Sequence, residues 1–84
     1  MLKLRAGVSL ADIEYGLAVL DEDSGQYFDL NPTGALVLRT LLEGGTSEQA
    51  AQKLSTEYAV DLATASHDVT ALLEELRSAG LVVA

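Results

Sequence analysis

The chain has 84 residues, 49% of them hydrophobic, and its 13 acidic against 5 basic side chains give a formal net charge of −8 at pH 7. So short a chain buries only about 60% of the surface it exposes when unfolded, so one domain spanning residues 1–84 is expected, with a core of Leu, Val and Ala because only Tyr15, Tyr27, Tyr58 and Phe28 are aromatic. The charge argues against nucleic acid, since phosphate binding needs clustered cations and Lys3, Arg5, Arg39, Lys53 and Arg77 are scattered. The lack of cysteine removes disulfides, thiolate metal sites and Cys nucleophiles; no run approaches the ~20 apolar residues of a membrane span, so a cytoplasmic location with no membrane partner is expected.

The first thirty residues alternate with period two. "GVSLADIEYG" places Val8 and Leu10, with Ile13 at its end, on a short irregular strand. Leu17 to Leu20 and Tyr27 to Leu30 then flank a polar stretch, which reads as a β-hairpin with its turn inside Asp21 to Gly25. Side chains alternate along a strand, so Phe28 and Leu30 face the core while Tyr27 and Asp29 face away. At "LNPTGA" Asn31 is a favoured N-cap and Pro32 suits the first helical position. The helix that begins there carries Leu36, Val37, Leu38, Leu41 and Leu42 and stops at Gly44-Gly45, which makes it the central core helix. Thr46, three residues before Gln49, has capping-box spacing and opens a short, half-exposed second helix with Ala50, Ala51, Leu54 and Tyr58.

The third helix is the longest. From an N-cap at Asp61 it runs to a left-handed stop at Gly80, with Leu62, Ala65, Val69, Leu72, Leu73, Leu76 and Ala79 recurring at three and four. The stripe is wide enough for one flank, Ala65, Leu72, Leu76 and Ala79, to pack inward while the other, Leu62, Val69 and Leu73, lines a groove. "LVVA" ends the chain as a stub of strand. The fold class is α+β: an N-terminal hairpin or small three-stranded sheet followed by three helices, like a winged helix-turn-helix with its hairpin placed first.

Catalytic chemistry finds no foothold. His67, the only histidine, lies on the polar side of the third helix, where adjacent residues do not face one another. The acidic loop from Asp21 lacks calcium-loop register, with glycine fifth and Pro32 in the twelfth position. Glu74 and Glu75 are neighbours on an exposed face, and no serine follows an Asp at a helix start as in a phosphopantetheine carrier. No catalytic residue, metal or cofactor is expected. DNA reading survives on the winged-helix outline alone, but the third helix carries a single cation, Arg77, near its end, where a recognition helix offers cations and amides near its start. A peptide groove remains. The hairpin's second arm, if at the sheet edge, has unpaired backbone groups able to accept a strand, and the same free edge invites weak homodimerisation. A charge at Val69 or Leu73 would then weaken peptide binding and leave the fold intact.

The stretches "QYFDLNPTGALVLRTLLEGGTSEQAAQKLSTEYAVD" and "DVTALLEELRSAGLV" resemble the PqqD-like family. The likeness rests on Leu30, Asn31, Thr33, Gly34 and Ala35 at the helix start, on Gly44, and on the run Leu76 to Leu81. It covers nearly the whole chain and is nearest to the stand-alone members of split lasso-peptide systems. The resemblance implies a non-catalytic recognition element for ribosomally made, modified peptides. Such an element holds the precursor's leader as an added strand and delivers it to a separate leader peptidase, with a cyclase acting afterwards. By position the peptide edge would be Gln26, Tyr27, Phe28, Asp29 and Leu30, and the groove wall Val69, Leu73, Leu76 and Arg77. The alternatives are a peptide chaperone of pyrroloquinoline quinone biosynthesis or a winged-helix DNA-binding regulator.

Overall fold

The computed structural model describes residues 1–83, in the order β1 (Lys3–Leu4), β2 (Val8–Ile13), β3 (Gly16–Asp21), β4 (Tyr27–Leu30), α1 (Pro32–Leu42), α2 (Ser47–Tyr58), α3 (Leu62–Ser78) and β5 (Val82–Val83). β2, β3 and β4 form an antiparallel sheet in that order, with Leu10 opposite Val19 and Val19 opposite Phe28. Glu14 and Tyr15 alone join β2 to β3, since Ile13 pairs with Gly16. Gly16 has a φ of +150°, and a Cβ there would lie 1.8 Å from the carbonyl oxygen of Leu30. Only glycine allows the start of β3 to press against the end of β4.

The join between sheet and helices follows its sequence signals. The Asn31 side chain accepts from the Gly34 N–H at 2.9 Å and from the Thr33 hydroxyl at 2.8 Å, and Pro32 opens α1. α2 starts in a complete capping box between Thr46 and Gln49. Asp61 caps α3 by accepting from the Thr64 hydroxyl at 2.6 Å and the Ala63 N–H at 2.9 Å. The Thr64 hydroxyl first, then the N–H groups of Ala63 and Thr64, hold the Asp61 carboxyl below the ordinary carboxylate value.

α1 divides the interior into two clusters. Val37 and Leu41 pack with Ala50, Ala51 and Leu54 of α2 and with Ala65, Val69 and Leu73 of α3. Ala35 and Leu38 pack beneath the sheet with Leu17, Val19, Leu76, Leu81 and Val82. The second cluster uses an element absent from the sequence reading, which left Lys3 and Leu4 unassigned: Lys3 pairs with Val83 and Leu4 with Val82. The final residue of the expected stub, Ala84, lies outside the described residues. Two-residue strands are too short for periodicity to reveal, and long-range pairing alone creates these.

Arg5 fastens this pair to the rest of the chain. Its Nε donates to the Gly80 carbonyl at 2.7 Å, and its guanidinium meets Asp21 at 2.8 Å and Asp23 at 3.2 Å. The N terminus, the end of α3 and the β3–β4 turn therefore share one side chain. Partial burial pushes the Asp21 carboxyl up, but Arg5 and the N–H groups of Asp23 and Ser24 together outweigh it and leave the group below its ordinary value. Arg39 of α1 similarly reaches Asp12 near the end of β2.

Candidate functional site

β4 is an edge strand. The Asp21 N–H donates to the Gln26 carbonyl at 2.8 Å, and bonded pairs alternate along an antiparallel ladder. Phe28 and Leu30 thus bond to β3, and the N–H and C=O groups of Tyr27 and Asp29 point to the open side. Gln26 contributes less than its place in the sequence suggests, because its carbonyl serves the turn and its N–H donates to the Ser24 hydroxyl at 3.2 Å. Tyr27 is 64% exposed and Asp29 is exposed, while Phe28 and Leu30 are half-buried against the second cluster. The alternation expected for this arm is present.

Three of the four α3 residues expected to wall the groove, Val69, Leu73 and Leu76, are buried, and Arg77 is exposed. Val69, 1% exposed, sits wholly inside the first cluster, and Leu76, 2% exposed, lies in the second. A docked peptide has no route to either side chain without opening the core. Leu73 is buried and, with Arg77, borders a different cleft of about 420 Å³ shared with Met1, Leu2, Leu41 and Gly44, to which β4 contributes nothing. The inward stripe of α3 therefore crosses both of the flanks inferred from spacing: Ala65, Val69, Leu73 and Leu76 are buried, whereas Ala79 and Leu62 are exposed. A helical wheel cannot decide this, because α2 and the Met1–Leu2 segment beside the Leu73 flank are tertiary neighbours.

Leu72 is the α3 residue better suited to face a ligand. It is half-buried and packs against both clusters, the second of which also receives Phe28 and Leu30. At 100° per residue it stands about 140° around the helix from Arg77, away from the cleft that Leu2 closes. Its signal in the sequence is its setting: a large apolar residue with Asp68 four positions before and Glu75 three after, the mark of a stripe's border rather than its centre.

Other features carry no comparable arrangement. A cleft of about 530 Å³ between α1 and α2 is lined by Thr40, Glu43, Gln49, Gln52, Lys53 and Glu57, among others, and its buried Thr40 hydroxyl is satisfied by the Leu36 carbonyl at 2.8 Å. Among the described residues no group of His, Asp and Glu converges to hold a metal, and His67 is exposed on α3. No helix among them is long and apolar enough to cross a membrane.

An open strand edge and a half-buried apolar helix residue packed on the same cluster mark this small α+β fold, and an unpaired edge is a surface that an extended chain can join. The chain belongs to the PqqD family: residues 16–82 match the family model for coenzyme PQQ synthesis protein D. Two solved structures share its fold over nearly their whole length. A lasso peptide synthetase B1 complexed with the leader peptide is 37% identical, with a TM-score of 0.92 over 99% of this chain and 98% of that one. TbiB1 in complex with the TbiA(beta) leader peptide is 29% identical, with a TM-score of 0.84 over 95% of this chain and 93% of the other. No curated protein matches the chain.

Proposed function

We propose that this protein binds the leader segment of a ribosomally made precursor peptide in lasso-peptide biosynthesis and hands it to a separate leader peptidase, without catalysing a step itself. The observation that carries the reading is the likeness over almost the full chain to a lasso peptide synthetase B1 and to TbiB1, each solved with a leader peptide. The leader adds as a fourth strand to β4, bonding to the backbone of Tyr27 and Asp29. Its inward side chains rest on Phe28, Leu30 and Leu72. Backbone pairing supplies most of the contact and the apolar anchors supply register.

Delivery to a second protein is supported by the outer face of the sheet. Register turns Ala11, Ile13, Ala18, Leu20 and Tyr27 away from the helices, so that face is largely apolar where the solvated side of an antiparallel sheet is usually polar. A leader strand on β4 would extend this face, giving the peptidase a surface made of both.

The match to coenzyme PQQ synthesis protein D favours one other reading, a peptide chaperone for pyrroloquinoline quinone formation. Anisotropy titrations separate the two. A labelled synthetic leader of a lasso precursor is expected to bind at micromolar protein or tighter and to keep its mass. Binding only the quinone precursor would replace the reading, and binding neither would refute both.

A further inference from the structure

We infer that the groove selects leaders carrying a Lys or Arg two positions from the apolar residue seated on Leu72, with Asp68 and Glu75 as the specificity-determining side chains. The inference rests on the reading of β4 as the leader edge. Three ion pairs are present among the described residues, and they engage Arg5 and Arg39. The remaining cations stand elsewhere: Lys3 on β1, Lys53 on α2, and Arg77 on the opposite flank of α3. Every charged side chain on β4 and on the Leu72 flank of α3 is acidic, namely Asp29, Asp61, Asp68 and Glu75. Asp61 is engaged as the α3 N-cap and Asp29 faces the outer side of the sheet, which leaves Asp68 and Glu75, both exposed, beside the groove without a cation.

Spacing makes the two carboxylates readable by a strand. On α3 Asp68 lies about 6 Å along the axis before Leu72, and Glu75 about 4.5 Å after it. Side chains on one face of an extended peptide recur roughly every 6.7 Å. For a peptide running alongside α3, an apolar residue over Leu72 brings the inward-facing residues two positions before and after it within reach of Asp68 and Glu75. Acidic residues at those positions meet like charge, neutral ones leave the carboxylates with water, and basic ones pair with them. Such pairs at an exposed rim mainly set partner choice and on-rate, which is what a recognition element requires.

Panning a displayed library of random linear peptides against the immobilised full chain tests this. The expected result is enrichment of extended peptides with an apolar residue flanked at the second position by Lys or Arg. In the Asp68→Asn/Glu75→Gln variant the basic bias should fall about three- to tenfold while the apolar preference stays. High salt should erase the same bias, because the screening length shrinks from about 10 Å to about 3 Å between 0.1 M and 1 M. Enrichment of apolar peptides with no basic bias, or with a bias unchanged in the neutralised variant, would overturn the charge inference and leave leader binding standing. No enrichment, or enrichment indifferent to Leu72→Asp, would overturn the groove reading together with it.

Discussion

The two flanks of α3 carry similar residues and meet different fates. On one, Leu73 and Arg77 look onto Met1 and Leu2, and the chain's own N terminus, locked to β5 through Lys3 and Leu4, covers the apolar surface. On the other, Leu72 packs against both core clusters and stays only half-buried, with an edge strand packed against one of those clusters. Apolar spacing alone does not tell a flank that the fold completes from one left for a partner. What separates them is whether another part of the chain closes the seam.

Substitutions on each flank should break or sharpen that contrast, and the largest effect belongs to its midline. Val69→Asp puts a charge where no solvent reaches, at a cost of about 4 kcal/mol or more against a total stability of about 5–15 kcal/mol. Its circular dichroism melt should lose cooperativity, and an intact melt would show that α3 is rotated from the orientation described. Gly16→Ala comes next. Its methyl meets the Leu30 carbonyl, so a loss of about 2–3 kcal/mol and a fall in Tm of about 10 °C or more are expected; an unchanged Tm would mean the end of β4 is free to move. Leu72→Asp should keep a cooperative melt, lower Tm by about 4–8 °C through the loss of about 1 kcal/mol of apolar burial, and weaken leader binding about tenfold or more, or about 1.4 kcal/mol, whereas Arg77→Ala should alter leader affinity by less than about twofold. The reverse ranking would place the groove on the Leu73 side.

The smallest effect is linked to pH. Asp21 and Asp61 both sit below the ordinary carboxylate value in the folded protein. Their contribution is therefore complete above the unfolded value of about 4 and disappears as pH drops through the lower folded values. Tm should hold steady from neutrality to about pH 5 and decline below about pH 4. Arg5→Ala should lower Tm at neutrality and make that acid decline shallower, because Asp21 then has less to lose.

Most of the architecture was legible because its signals are local. Asn31-Pro32, Thr46 with Gln49, Asp61 and Gly80 fix where the helices begin and end, and alternation from Tyr27 to Leu30 gives the faces of β4. The β1–β5 pair was hidden, since two residues at each end of the chain carry no period. That same omission hid what covers the Leu73 side of α3. Without the N-terminal cover, Leu73 and Arg77 look as open as Leu72, and Val69 passes for a wall when it is the centre of a cluster. The faces of β4 follow from local alternation, whereas which α3 side chains are buried follows from distant neighbours.

The central claim is that the leader pairs with the open side of β4. Amide hydrogen exchange at single-residue resolution, with and without the leader peptide, tests it most directly. The Tyr27 and Asp29 N–H groups should exchange readily in the free protein and become strongly protected on binding, while Phe28 and Leu30, already bonded to β3, change little. Protection that appears instead along β2, or around the cleft of Met1 and Arg77, with Tyr27 and Asp29 still exchanging freely, would contradict it.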